Sequence, residues 1–189
     1  MKLLVGSAVV ALLAVITAGL LASVYLWKSE HPLVRAFASS FPAANVDGRK
    51  ISYGTYLVHV DAQRAFLNGP LAADSGVIRD ITDSERQESL ERAIRIEAVE
   101  GMAEESGVVV TPLDVDRTYE ELVSRAGTST SAEEISSFLS AQFGWDESEY
   151  KTYLLRPAFI EEVLRSKGGD TFDAALQARI DGATRFLKF

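Results

Sequence analysis

Apolar positions along this chain follow two patterns. From Leu3 to Trp27 they are almost continuous, with no charged residue and only Ser7, Thr17, Ser23 and two glycines as interruptions. Beyond Lys28 they recur at helical spacing, in segments bounded by capping residues and glycines. At roughly 1.5 Å per residue the first run reaches about 38 Å, more than the roughly 30 Å hydrocarbon core of a bilayer. It therefore predicts an uncleaved transmembrane signal anchor over residues 1–28. A cleaved signal has a shorter apolar region followed closely by small residues. The nearest such site, Ala36-Phe37-Ala38, lies behind Lys28, Glu30, His31 and Arg35. Tyr25 and Trp27 stand where interfacial aromatics belong, and the flanking charges leave the orientation undecided.

Residues 29–44 read as an extended juxtamembrane tether, broken up by Pro32, Pro42 and Ser39-Ser40. Asp47-Gly48, between Val46 and Ile51, marks a small hairpin. Nearly everything after it is helical. Ser52 to Leu67 carries Tyr53, Tyr56, Leu57, Val60 and Phe66 on one side and stops at Asn68-Gly69-Pro70. Leu71 to Ile81 reads as a loop. Thr82-x-x-Glu85 is a capping box that opens a long helix to about Glu105, with Leu90, Ile94, Ala98 and Met102 on its apolar face. Thr111-Pro112-x-Asp114, Ser131-x-x-Glu134 and Asp146-x-x-Glu149 open three more, and Pro157 should kink the last. A final amphipathic helix is expected over about 171–188, with Leu176, Ile180, Ala183 and Leu187 on one stripe. The predicted fold class is all-α: an N-terminal transmembrane helix, then a multi-helix domain over 45–189 with a small β-hairpin at its start.

Charge narrows the partners. With 27 acidic against 19 basic residues the chain carries a formal net charge of −8, and no clustered basic face suited to nucleic acid is present. Cysteine is absent, which excludes disulfides, thiol catalysis and Cys-ligated metal.

Several of these elements together resemble a known family. Val46-x-Gly-x-x-Ile-Ser, Leu90-x-x-Ala-Ile, Ala103-x-x-x-Gly107-Val-x-Val110-Thr111 with Val115, and Phe143-Gly-Trp-x-x-x-x-Tyr150 occur in the order and spacing of the SurA/PrsA/PpiD type of extracytoplasmic chaperone. The stretch from Val46 to Lys167 is similar to its N-terminal chaperone domain. The resemblance implies a helical module that holds unfolded or newly translocated polypeptides. It also implies a single membrane anchor with the amino terminus cytoplasmic and the domain outside. Many relatives continue into a parvulin-type peptidyl-prolyl isomerase domain. Only about twenty residues follow Lys167 here and none is histidine, so no isomerase activity is expected.

Other catalytic readings are weaker. His31 falls in the tether, and His59 with Asp61, two residues apart on a helix, point to different faces. A solvated surface histidine is the plainer reading of His59. The acid pairs Glu97/Glu100, Glu104/Glu105, Glu120/Glu121 and Glu161/Glu162 could supply carboxylates to a glycosidase-like or di-metal site. They lack the Glu-x-x-His that di-metal bundles use, and solvated helix faces explain them more simply. No nucleophile elbow, P-loop or dinucleotide fingerprint occurs. No catalytic residue, metal or cofactor is therefore expected.

The functional expectation is a membrane-anchored, ATP-independent holdase for unfolded exported polypeptides. The alternatives are an accessory membrane protein that docks one dedicated partner, or a truncated isomerase. A holdase must offer apolar surface without fixed shape demands. Phe66, Phe138, Phe143, Trp145, Tyr150, Tyr153 and Phe159 are the candidate client-binding residues, with Trp145 and Tyr153 expected to be the most exposed. For each of these aromatics, an ordinary place in the core is the competing reading.

Overall fold

The apolar run folds as one helix, α1 (Lys2–Tyr25), whose last turn belongs to the domain that follows. The computed structural model describes the backbone of residues 2–75, 79–126 and 131–189, and their side chains apart from those of 2–12, 73–75, 126 and 132. Val24 is fully buried in the main core, and the Tyr25 hydroxyl donates to the Pro42 carbonyl at 2.9 Å. Among the described residues no helix is long and apolar enough to cross a membrane. That corrects the expected transmembrane anchor and the single-pass placement built on it; the side chains of 3–12 lie outside the described residues. Leu13, Val15, Ile16 and Trp27 are each at least half exposed.

The expected tether is also corrected, because residues 29–44 are folded against the domain. His31 caps a short helix, α2 (Pro32–Ala38), by accepting from the Leu33 N–H, and Pro32 takes the first helical turn, where its missing N–H costs nothing. Ala38, Ala43 and Ala44 are fully buried. Glu30 fastens the segment: its carboxylate accepts from Arg64 at 2.5 Å and from Arg86 at 3.0 and 3.1 Å. Tyr53 donates to the Ser29 carbonyl at 3.0 Å.

The hairpin forms around Asp47-Gly48, joining β1 (Pro42–Val46) to β2 (Arg49–Ser52). Both turn residues have positive φ, 50° and 86°, which an Asp-Gly pair tolerates. A third strand, β3 (Thr184–Arg185), pairs antiparallel with β1, giving the order β2-β1-β3. Against this sheet pack α3 (Tyr53–Asn68) and the capped central helix α4 (Asp83–Glu105). A 3₁₀ turn, Pro70–Ser75, occupies part of the expected loop; residues 76–78 lie outside the described ones.

Three further helices start where their caps predict: α5 (Pro112–Ala126), α6 (Ala132–Phe143) and α7 (Glu147–Tyr150). Gly144 ends α6 in the left-handed conformation that a side chain resists, φ 68°. The expected kink appears before Pro157 as a π-turn, Lys151–Leu155, leading into α8 (Arg156–Gly168). Arg156 N–H bonds back to the Lys151 carbonyl, five residues away, so the irregular turn falls in the stretch where proline removes a donor.

The last helix, α9 (Phe172–Gly182), is shorter than the expected 171–188. At Ala183 the chain turns extended and becomes β3, and Leu187 is buried from a non-helical segment. The fold is thus mostly helical with a three-stranded sheet, where the sequence pattern predicts helices with a hairpin alone. Arg185 fixes the new strand by a bidentate pair to Glu91 on α4, both contacts at 2.6 Å.

Candidate functional site

Two apolar clusters divide the described core. The larger gathers α3, α4, α8, α9 and the sheet; the smaller, built on Val115, Tyr119, Leu139 and Leu155, joins α5 and α6 to the π-turn. Between α5 and α6 the smaller cluster opens as a groove of about 360 Å³, lined by Tyr119, Leu122, Val123, Glu134, Ile135, Phe138, Leu139 and Tyr150. On α5, Tyr119, Leu122 and Val123 share a face by their three- and four-residue spacing; on α6, Ile135, Phe138 and Leu139 do the same. Leu139 is the buried floor, while Leu122 and Phe138 are 42% and 44% exposed at the rim.

A second concavity of about 480 Å³ adjoins α5 and is more polar. Pro112, Val115, Asp116, Glu147, Lys151 and Arg156 are among its walls. Lys151 donates to Asp116 at 2.8 Å and to Glu147 at 2.6 Å, and lies 4.5 Å from the Tyr119 ring centroid.

Six of the seven expected client-binding aromatics cluster at this end of the molecule. Phe66 stacks on Phe143 at 6.2 Å between centroids, Phe143 on Trp145 at 5.7 Å, and Trp145 meets Tyr153 at 5.9 Å. Phe143 also meets Tyr150 at 6.2 Å, and Tyr150 meets Tyr119 at 6.3 Å. Phe138 stands on the groove wall. Phe159, on α8, is half-buried and makes no ring contact among the described residues.

Exposure differs from expectation. Trp145 is 4% exposed, because the glycine that ends α6 turns the indole inward onto His59 and Tyr153. Tyr153 is half-buried. The exposed aromatics of the set are Phe66 and Phe138. Leu122 belongs to the same rim and was missed by attending to aromatics; its place three residues after Tyr119 on the α5 stripe was the available signal.

His59 is corrected as well: it is 1% exposed, on the face of α3 turned toward Trp145 and Tyr153. Its Nδ1 has no hydrogen-bond partner among the described residues. Burial lowers its pKa to about 4, helped by the positive charge of Arg92.

The paired acids that could suggest a carboxylate site are mostly spoken for by arginines. Glu97 and Glu104 both take Arg49, at 2.5 and 2.6 Å. Glu100 pairs with Arg156, Glu105 with Arg179, and Glu161 with Arg95 at 2.7 Å. They tie elements together, where a solvated face had been expected for them. Among the described residues no group of three or more His, Asp or Glu side chains is placed to hold a metal ion.

Comparison with protein-family models, curated proteins and solved structures finds no match.

Proposed function

We propose that this protein is an ATP-independent holdase, binding unfolded polypeptides through apolar surface and performing no chemistry on them. The observation that carries the reading is the α5–α6 groove, an apolar trough whose rim residues Leu122 and Phe138 stay nearly half exposed. Apolar side chains gathered at the mouth of a concavity form the kind of surface that binding grooves present. The order of turns and caps that resembles the SurA/PrsA/PpiD chaperone domain supports the same reading. So does the chemistry of the wall: leucine, isoleucine, valine and aromatic rings accept many apolar side chains without demanding one hydrogen-bond pattern.

A photocrosslinking side chain placed at Leu122 of the full chain tests this. The holdase reading expects labelling of many unrelated denatured proteins added in turn, and little labelling of the same proteins when folded. Labelling of one recurrent partner, with denatured chains ignored, would replace it by the reading of a docking module for a dedicated protein.

A further inference from the structure

The charge around the groove names the kind of segment that fits it. Residues 112–151 hold nine acidic and three basic side chains, so this stretch of 40 residues supplies six of the eight net negative charges of the chain. The rest is nearly balanced, and its arginines are spent on ion pairs that join elements, as Arg35 with Asp61, Arg95 with Glu161 and Arg185 with Glu91 do. Around the groove the balance is different. Lys151 answers Asp116 and Glu147, and Arg125 answers Glu121. Glu120 on α5 and Glu133 on α6 flank the groove-lining positions without lining the groove, make no ion pair among the described residues and are exposed. Glu134, on the groove wall, uses its carboxylate to cap the Ser131 N–H at 2.7 Å and still contributes its charge there.

Building on the holdase reading, we infer that the groove selects segments in which large apolar residues stand next to lysine or arginine. An apolar side chain would fill the space between Tyr119, Phe138 and Leu139, and flanking cations would meet Glu134 on the groove wall within the surplus of carboxylates that α5 and α6 carry. A groove of this volume is at the small end of ligand-sized pockets, which suits a short unfolded segment and not a folded surface. The same rim repels acidic segments, anionic headgroups and nucleic acid, since like charges set against each other oppose association.

Two labelled unstructured peptides of identical length decide it, one alternating leucine and phenylalanine with lysine, the other with glutamate in place of lysine. Fluorescence anisotropy with the full chain at low salt should show the lysine peptide binding about tenfold more tightly. In 1 M salt, where the screening length falls to about 3 Å, that difference should largely vanish while apolar binding persists. The triple variant E120K/E121K/E133K, which leaves residues 112–151 with six acidic and six basic side chains, should abolish the preference, with an unchanged circular dichroism spectrum. Equal binding of both peptides, each weakened by F138S, would overturn the charge selection and leave the holdase reading standing. Binding of neither peptide would overturn both.

Discussion

His59 on α3 meets the Trp145 indole edge-on, with ring centroids 6.5 Å apart at 81°. The contact joins the two apolar clusters: α3 belongs to the larger, and Trp145 follows the glycine that ends α6. Both side chains are buried, and the imidazole is held neutral.

A pH dependence follows from the lowered pKa. The unfolded chain binds a proton at His59 below about pH 6.5, while the folded protein resists until about 4. The contribution of His59 is therefore fully present above pH 6.5 and is lost as pH drops from 6.5 to 4; below that, paired carboxylates such as Glu85, held down at about 2, continue the loss. The loss from this group is about 3 kcal/mol. Urea unfolding at pH 7.0, 5.5 and 4.5, followed by tryptophan fluorescence, should show the decline, and His59→Leu should flatten it.

Gln142 makes a second bridge between the same parts. It is fully buried; its Oε1 accepts from the Leu71 N–H at 3.1 Å and its Nε2 donates to the Phe66 carbonyl at 3.3 Å. Gln142→Leu takes the side-chain acceptor from the Leu71 N–H and leaves the Phe66 carbonyl with the Gly69 N–H alone, and should destabilise the protein by about 1–3 kcal/mol. Gly69→Ala should act at the same junction, since a Cβ there would sit 2.9 Å from the Ala65 carbonyl oxygen and 3.0 Å from that of Ala141. Denaturant midpoints measured at constant m-value check both.

The end of α1 is structural. Val24→Ala should cost about 2 kcal/mol, because its side chain is fully buried in the main core. Tyr25→Phe, which leaves the Pro42 carbonyl without its hydroxyl donor, should cost about 1 kcal/mol. A chain begun at Ser29 lacks both residues and should melt well below the full chain in a thermal scan.

Local signals were the most legible part of the sequence. Thr82, Ser131 and Asp146 cap their helices as the pattern foretold, because a capping box acts over three residues and needs no tertiary partner. Asp47-Gly48 made its turn for the same reason. The features that were misread depend on partners distant in sequence. Thr184 and Arg185 are too few to read as a strand until β1 offers its edge. Residues 29–44 looked like a tether because Glu30 finds its partners at Arg64 and Arg86, far along the chain. His59 looked solvated because the rings that cover it come from residues 145 and 153. At the candidate site the sequence supplied six of the aromatics now found together, but it could not distinguish rim from floor, so Trp145 was placed outside and Leu122 was overlooked.

The central claim is that the α5–α6 groove holds unfolded chains, and aggregation of a denatured model protein, followed by light scattering, tests it most directly. The full chain at a near-stoichiometric ratio should slow the aggregation. The double variant Leu122→Asp with Phe138→Ser should lose most of that effect while melting within a few degrees of the parent, since both side chains stand at the exposed rim. The variant also separates the groove from exposed apolar side chains elsewhere, such as Leu13, Val15 and Ile16 on α1 and Phe37 on α2, which it leaves untouched. No protection across a range of clients, or equal protection by the parent and the double variant, would contradict the account.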